Sequence, residues 1–476
     1  MIRSGLLLGA GNVSAALLSL LRNVLIARLI GVEDFGIAST LAIAVSAVEA
    51  TSYIALDRLL VQAKDGEASA FMSTAHALLA ARGVLAAIVL FLAAGPIAWL
   101  FGVPEVAWAY QALALMPLLR GFAHLDIHRR QREMHFLPFV TVEGTAQFVA
   151  TAAALPLALV FGDYRVMLFC LLVQQLVFMA ASHVVATRPY RWAWDGAIVR
   201  RSIAFGLPLL LNSTLMLGML YGDRVIVGSL IGMTELGWFT VALVLTLMPV
   251  QIMASTLSGW FLPQLSRVQD DDVKFVRLYL VTTQACLLAG ILFAIGFALI
   301  GPDLFIMLYG AQYEAGLSVL VFMALMQGIR MARIGPSIVA TSMARTTNPL
   351  LANVARVSML PVAWSFVYTG AGVLSVVAIG IVAEVLAFAV SLFLLRHKLR
   401  LPLGDLALPL AASLGVIGLL CLQEHVWRPG APGIDGMYAV QAMVAVALVL
   451  AFWSMPALRH WGRTVLFTQK LPARGG

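Results

Sequence analysis

The sequence predicts an all-α polytopic membrane protein of about fourteen transmembrane helices, built as two parallel six-helix repeats around a central cavity plus two C-terminal helices. Three observations predict it. Of 476 residues, 61% are hydrophobic and only 11% charged, with a mean hydropathy of +0.95, whereas soluble chains carry roughly 25% charged residues. Apolar stretches of about 20 residues, enough to cross a hydrocarbon core, recur from Leu6 to near Leu458 with short polar breaks between them. The first half of the chain is also echoed in the second.

The first apolar stretch, 6 to 30, is too long for a signal-peptide core and lacks a small-residue cleavage site, so it reads as a retained helix with the mature chain starting near Met1. The next five run over 36 to 60, 71 to 100, 105 to 127, 137 to 161 and 164 to 187, and complete an N-terminal lobe, 1 to 201. Helices at 203 to 230, 235 to 262, 275 to 300, 315 to 341, 347 to 369 and 372 to 395 make a C-terminal lobe, 202 to 400. Stretches 406 to 423 and 437 to 458 form an appendix with a tail, 401 to 476. Pro117, Pro208, Pro249, Pro336 and Pro361 interrupt these helices and can kink them. Cys170, Cys286 and Cys421 lie inside apolar segments without CxxC spacing, which suggests packing residues and no disulfide framework or metal site.

Loop charge sets the orientation. With the N-terminus inside, the inner segments hold most of the 31 Lys and Arg, including HRRQR at 128 to 132, RPYRWAWDGAIVRR at 188 to 201 and RHKLR at 396 to 400, while the outer loops hold only Arg165 and Arg428. An even number of crossings with both termini in the cytoplasm follows. The net charge of +8 is therefore mostly topological, and its dispersal over short loops argues against nucleic-acid binding.

Segment RNVLIARLIGVEDFG at 22 to 36 lies on DRVIVGSLIGMTELG at 223 to 237 at a constant offset, with Val24, Leu29, Ile30, Gly31 and Gly36 matching Val225, Leu230, Ile231, Gly232 and Gly237. GPIAWLFG at 95 to 102 is echoed by GPDLFIMLYG at 301 to 310. Both copies start inside, so the repeats are parallel, and repeated halves in membrane proteins accompany alternating access with a site between them.

The run RNVLIARLIGVEDFGIAST resembles the opening of the polysaccharide-biosynthesis (Wzx-type) oligosaccharide flippases, in the superfamily that also holds multidrug extruders and lipid II flippases. The GPDLFIMLYGAQYEAG segment, the helix count and the repeat extend the resemblance over the whole chain. It implies two six-helix lobes around a cavity, an undecaprenyl-pyrophosphate-linked oligosaccharide as substrate, a bacterial inner-membrane location and the company of other polysaccharide-assembly membrane proteins. Arg22 and Arg28 match the six-residue arginine spacing that related lipid II flippases carry before the glycine at Gly31. Other cavity positions have no motif to match.

Those positions are read from charge. Arg22, Arg28, Arg58, Arg82, Arg120, Arg224, Arg330, Arg333 and Arg356 fall within the helices, and no lysine does. A charge near the bilayer centre costs at least about 2.5 to 3.5 kcal/mol, so such groups face water, protein or ligand. Arginine also grips phosphate bidentately and keeps its charge when desolvated. These nine are the candidate substrate-binding residues, with Arg28 and Arg58 near enough to helix ends to snorkel. Glu49, Asp57, Glu143, Asp223 and Glu384 are the acids at similar depth, candidates for ion coupling or internal ion pairs, and they leave a positive excess that an anionic substrate offsets. An Arg22–Asp223 pair is expected in one state. Gln327, Arg330 and Arg333 share one side of a helix, as do Arg120 and His124, and Glu143 and Gln147 form a hydrogen-bonding patch. His124, Asp126 and His128 read as a solvated cytoplasmic helix end.

No phosphate-binding loop and no loop large enough for a nucleotide-binding domain occurs, so no cofactor is expected and energy would come from a proton or sodium gradient or from downstream consumption. A drug extruder would want an acidic cavity for organic cations. A lipid II flippase would share the pyrophosphate. A membrane-embedded polymerase or glycosyltransferase would need carboxylates clustered on outer loops, which are short here, so the chain does not read as an enzyme.

Overall fold

A computed structural model describes residues 2–426 and 434–468, with side chains described from Gly9 to Val416 (Asn12 excepted), at Gly418 and from Val444 to Gly462. Among the described residues every regular element is helical and no strand occurs. That is the outcome lipid enforces on a chain this apolar, because a helix satisfies its own backbone donors and acceptors.

The helices are α1 (Ile2–Leu29), α2 (Val32–Ser52), α3 (Leu56–Gln62), α4 (Ser69–Leu100), α5 (Ala107–Leu113), α6 (Leu115–Gly121), α7 (Asp126–Arg132), α8 (Leu137–Phe161) and α9 (Arg165–Val185). They continue as α10 (Gly196–Leu230), α11 (Met233–Arg267), α12 (Asp272–Tyr309), α13 (Leu317–Ser342), α14 (Thr347–Val357), α15 (Leu360–Tyr368) and α16 (Val373–Leu399). Last come α17 (Gly404–Val426), α18 (Ile434–Trp453) and α19 (Pro456–Thr468).

Among the described residues, eleven helical stretches are long and apolar enough to cross a membrane, or twelve if the pair α18 and α19, bent by 78°, is one span. One reason the count differs from the fourteen read from sequence is local: expected helix 105 to 127 is split into α5 and α6, each seven residues long. The two C-terminal stretches, 406 to 423 and 437 to 458, lie partly outside the residues whose side chains are described.

Proline explains two of the breaks. A proline ring clashes with the carbonyl four residues before it; Pro117 therefore ends α5 at Leu113, and Pro361 ends α14 at Val357. Pro208, Pro249 and Pro336 remain inside continuous helices. A third break carries no proline: α2 and α3 are separated by Tyr53–Ala55, with Ala55 in the left-handed region at φ 51°. A fourth, residues 122 to 125, separates α6 from α7.

The chain forms two compact units, Met1–Thr240 and Val241–Gly476. In the first, α10 lies along α2: Ser213 Oγ donates to the Ala50 carbonyl at 2.7 Å and Ser46 Oγ to Tyr221 Oη at 3.0 Å. Thr40 and Tyr110 join their hydroxyls in the unit's interior. In the second unit, α12 and α13 run side by side, and Phe275, Tyr279, Val339 and Leu395 belong to one apolar cluster. Cys170 and Cys286 are buried free thiols, while the side chain of Cys421 lies outside the described residues.

The sequence repeat reappears in packing. Gly83 of α4 faces Gly121 of α6 so closely that an added Cβ would lie 2.6 Å from the other glycine's Cα, and Gly290 of α12 meets Gly328 of α13 in the same way. Gly290 follows Gly83 by 207 positions, and Gly328 follows Gly121 by the same 207. Gly36 and Gly237, paired by the sequence repeat, also pack reciprocally: Gly36 abuts the Met233 carbonyl and Gly237 the Val32 carbonyl.

Candidate functional site

The second unit holds a compact ionic cluster. The spacing of Arg330 and Arg333 on α13 puts both on one face, where they meet Glu384, a fully buried residue of α16. Arg330 Nε donates to Glu384 Oε1 at 2.8 Å and Arg333 Nε to Oε2 at 3.2 Å. Arg356 of α14 donates to Oε1 at 2.7 Å, and Arg333 Nη1 reaches Asn353 Oδ1 at 2.8 Å. Arg330 and Arg333 alone outnumber the carboxylate they share, before Arg356 is counted. Nearby in sequence, Gln327 and Asn348 are buried with both side-chain polar atoms unbonded, an arrangement costly in an apolar interior unless a polar group is brought to it.

The first unit holds a polar cavity of about 270 Å³ where the two helix breaks come together. Glu49, Asp57, Glu143, Arg82 and Arg120 line it. Arg82 is fixed by the end of α2: its guanidinium donates to Ser52 Oγ at 3.1 and 3.2 Å and faces the Glu49 carbonyl at 3.5 Å, the position where a cation offsets the helix dipole. Arg120 lies over the Phe178 ring at 4.5 Å, and Asp57 accepts from Tyr53 Oη at 3.0 Å. Among the described residues none of the three carboxylates forms an ion pair with either guanidinium, and Glu49 and Glu143 accept no side-chain hydrogen bond.

The remaining predicted residues are dispersed. Arg22 is buried on α1 and donates to Gln174 Oε1 of α9 at 2.5 Å, so the expected Arg22–Asp223 pair is not formed; a neutral amide on the adjacent helix takes its place. Arg28 is exposed and Asp223 buried, and each has an interaction partner. Arg58 is exposed, 5.8 Å from the Tyr53 ring. Arg224 is buried over the Tyr221 ring at 5.1 Å with its Nε unbonded. Gln147 is buried with its Nε2 unbonded rather than joined to Glu143.

The solvated helix end expected at 124 to 128 is corrected by the structure. His124 and Asp126 are buried, because the 186 to 195 loop folds over them: His124 Nε2 meets the Arg188 carbonyl at 3.0 Å, and Thr187 donates to Asp126 from its backbone at 2.8 Å and its hydroxyl at 2.9 Å. Arg129 Nε completes the network at 2.5 Å from Asp126. Burial by itself would raise the Asp126 carboxyl; the hydrogen bonds from Arg129 and Thr187 outweigh it and hold the group at about 2. At the surface, a hydrogen bond from Arg201 holds the Asp65 carboxyl below its usual range.

Sequence reasoning missed Gln174, Tyr53, Asn353 and Phe178. Gln174, Asn353 and Phe178 take their roles from arginines on other helices, and Tyr53 from Asp57 across the break that follows α2. Among the described residues no group of three His, Cys, Asp or Glu is placed to hold a metal ion. A second cavity, about 200 Å³ within the second unit, is lined by Leu287, Ile291, Leu325, Phe388 and Leu392 among others and offers almost no polar group, so it suits hydrocarbon and not a charged headgroup.

Comparison with known proteins adds four likenesses. Residues 25–321 match the family described as polysaccharide biosynthesis protein. The succinoglycan biosynthesis transport protein ExoT of Rhizobium meliloti (strain 1021) is 24% identical over 314 residues, which cover 64% of this chain and 62% of that relative, so the chain spans less than two thirds of its length. Among solved structures, the lipid II flippase MurJ in an inward closed conformation superposes with a TM-score of 0.69 at 12% identity, over 98% of this chain and 99% of that one. An inward-facing multidrug resistance MATE family transporter of the MOP superfamily gives 0.59 at 17% identity, over 80% and 94%. At such identities the shared property is the fold.

Proposed function

Because the chain belongs to the polysaccharide biosynthesis protein family, we propose that it is a flippase that carries an undecaprenyl-pyrophosphate-linked oligosaccharide across the bacterial inner membrane by alternating access, for assembly of a surface polysaccharide. The observation that carries this reading is the convergence of Arg330, Arg333 and Arg356 on the single carboxylate of Glu384. Guanidinium groups in excess, held in place by a shared anion within an apolar bundle, are suited to receive the oxygens of a diphosphate. The same excess disfavours the organic cations that a drug extruder would carry. The relative from Rhizobium meliloti bears a polysaccharide-transport name, which supports a glycan rather than lipid II as the attached group.

The cluster also bears on energy coupling. Glu384 is shared by three arginines and is thereby kept as a fixed counter-charge, so a coupling acid is to be sought among Glu49, Asp57, Glu143 and Asp223 in the first unit. Mass spectrometry of lipids retained by the purified protein tests the cargo. A polyprenyl-pyrophosphate glycan should copurify with the wild type and be depleted at least about tenfold from Arg330→Gln and Arg356→Gln. Equal retention by the wild type and both variants would remove these arginines from the binding site.

A further inference from the structure

We propose that the cavity of the first unit binds a sugar residue of the cargo through its hydroxyl groups, leaving the diphosphate to the arginine cluster of the second unit. The inference rests on the reading of the cargo as a lipid-linked glycan and assigns that glycan's neutral portion to residues for which no ligand has been named.

Charge comes first. Three carboxylates, Glu49, Asp57 and Glu143, and two guanidiniums line the cavity, and both guanidiniums are already partly engaged: Arg82 by the end of α2 and Arg120 by the Phe178 ring. A diphosphate entering here would meet more like charge than opposite charge. The carboxylates of Glu49 and Glu143 stand open as acceptors. They do not close around a common point in the manner of cation ligands, since no metal-holding group of acids and histidines occurs among the described residues.

A sugar hydroxyl answers this arrangement because it both donates and accepts. It can donate to Glu49 or Glu143 in a charge-assisted hydrogen bond while accepting from a guanidinium of the same cavity. Phe139 on the cavity wall supplies an apolar surface for the C–H side of a pyranose ring. At about 270 Å³ the space lies just under the roughly 300 Å³ at which pockets for drug-sized ligands begin. One or two sugar rings fit that scale and a longer oligosaccharide does not.

Residues of two helix breaks line the cavity. Ala55, held in the left-handed region, turns the chain so that Tyr53 and Asp57 bond each other on the cavity wall. Where helices are interrupted in transporters, the freed backbone and the side chains beside it form binding sites. The two breaks are absent from the corresponding place in any linear motif, which is why the cavity has no sequence signature.

The test uses the full-length protein in lipid nanodiscs and two probes, a neutral disaccharide of hexoses followed by saturation-transfer NMR, and inorganic pyrophosphate followed by calorimetry. Glu143→Gln and Tyr53→Phe are the cavity variants; both are near-isosteric, and a thermal unfolding curve shows that each is folded. Disaccharide binding should weaken about tenfold in Glu143→Gln and severalfold in Tyr53→Phe, with pyrophosphate binding unchanged in both, while Arg330→Gln should lose pyrophosphate alone. Disaccharide signals equal in the wild type and both cavity variants would overturn the inference even if Arg330→Gln loses pyrophosphate. Loss of pyrophosphate in Glu143→Gln, or loss of sodium binding there with the disaccharide untouched, would overturn it too. Disaccharide binding that depends on Glu143 in a protein that ignores pyrophosphate would leave the inference standing and remove the diphosphate site.

Discussion

Glu384 carries the heaviest electrostatic duty of any residue in the second unit, since three guanidinium groups hold their charge in an apolar bundle against its one carboxylate. Removing one partner from a buried ionic group leaves the others uncompensated, at a cost of about 3 to 5 kcal/mol. Glu384→Gln should therefore unfold at a markedly lower temperature in detergent, and added pyrophosphate should raise that temperature more in the variant than in the wild type, because an anion then takes the carboxylate's place. A variant no less stable than the wild type would show that the cluster is not what keeps these arginines in place. Asp126 makes a second case. Its carboxyl is held at about 2, below the ordinary value of about 3.9, so its stabilising contribution is complete above pH ~4 and is lost as the pH falls through about 2. Asp126→Asn should lower stability by roughly 3 kcal/mol equally at pH 8 and pH 5; a penalty that shrinks between those two values would contradict the assignment. Apart from the i,i+3 pair of Asp126 with Arg129, these partnerships were not legible in the sequence. Glu384 lies 28, 51 and 54 residues from its arginines, which sit on two other helices, and Asp126 is covered by a loop some 61 residues away. Charge and depth singled out the arginines and Glu384 as candidates; only packing could say that they meet.

Helices are the level at which the sequence speaks most clearly. Each apolar stretch must satisfy its own backbone inside lipid, so length and hydropathy alone locate it, and α4, α8, α9, α13 and α16 fall close to their expected positions. Breaks are harder. Pro117 and Pro361 announce theirs, one turn downstream of the residue where the helix stops, whereas the Tyr53–Ala55 break depends on a left-handed alanine that no residue preference foretells. Glycine shows the same division. The recurrence of Gly36 as Gly237 was legible, but the close helix contacts at Gly83–Gly121 and Gly290–Gly328 required the structure. Gly328→Ala should cost about 1 to 3 kcal/mol, since the new methyl would lie 2.7 Å from the Gly290 carbonyl. Gly95→Ala, on a helix face with open space around it, should be neutral or stabilising by up to about 1 kcal/mol. Thermal unfolding of the two variants side by side checks the argument, and equal midpoints would show that the close crossing carries no packing constraint.

Across the whole chain, charge is distributed with a division that composition cannot reveal. The net charge of +8 and the dispersed helix arginines suggest one positive interior, yet the first unit's cavity carries more carboxylates than guanidiniums while the second unit's cluster carries more guanidiniums than carboxylates. Two environments of opposite sign in a polysaccharide biosynthesis protein suit a cargo with a neutral glycan and an anionic diphosphate. The most direct measurement of that claim is flipping of a fluorescent polyprenyl-pyrophosphate oligosaccharide in proteoliposomes, read as the fraction accessible to an impermeant quencher over time. The account predicts rapid loss of protection with the wild type and at least about a tenfold slower rate with an Arg330→Gln, Arg333→Gln double variant that inserts normally. Wild-type rates retained by that double variant, or a protein-free rate in wild-type vesicles, would contradict it.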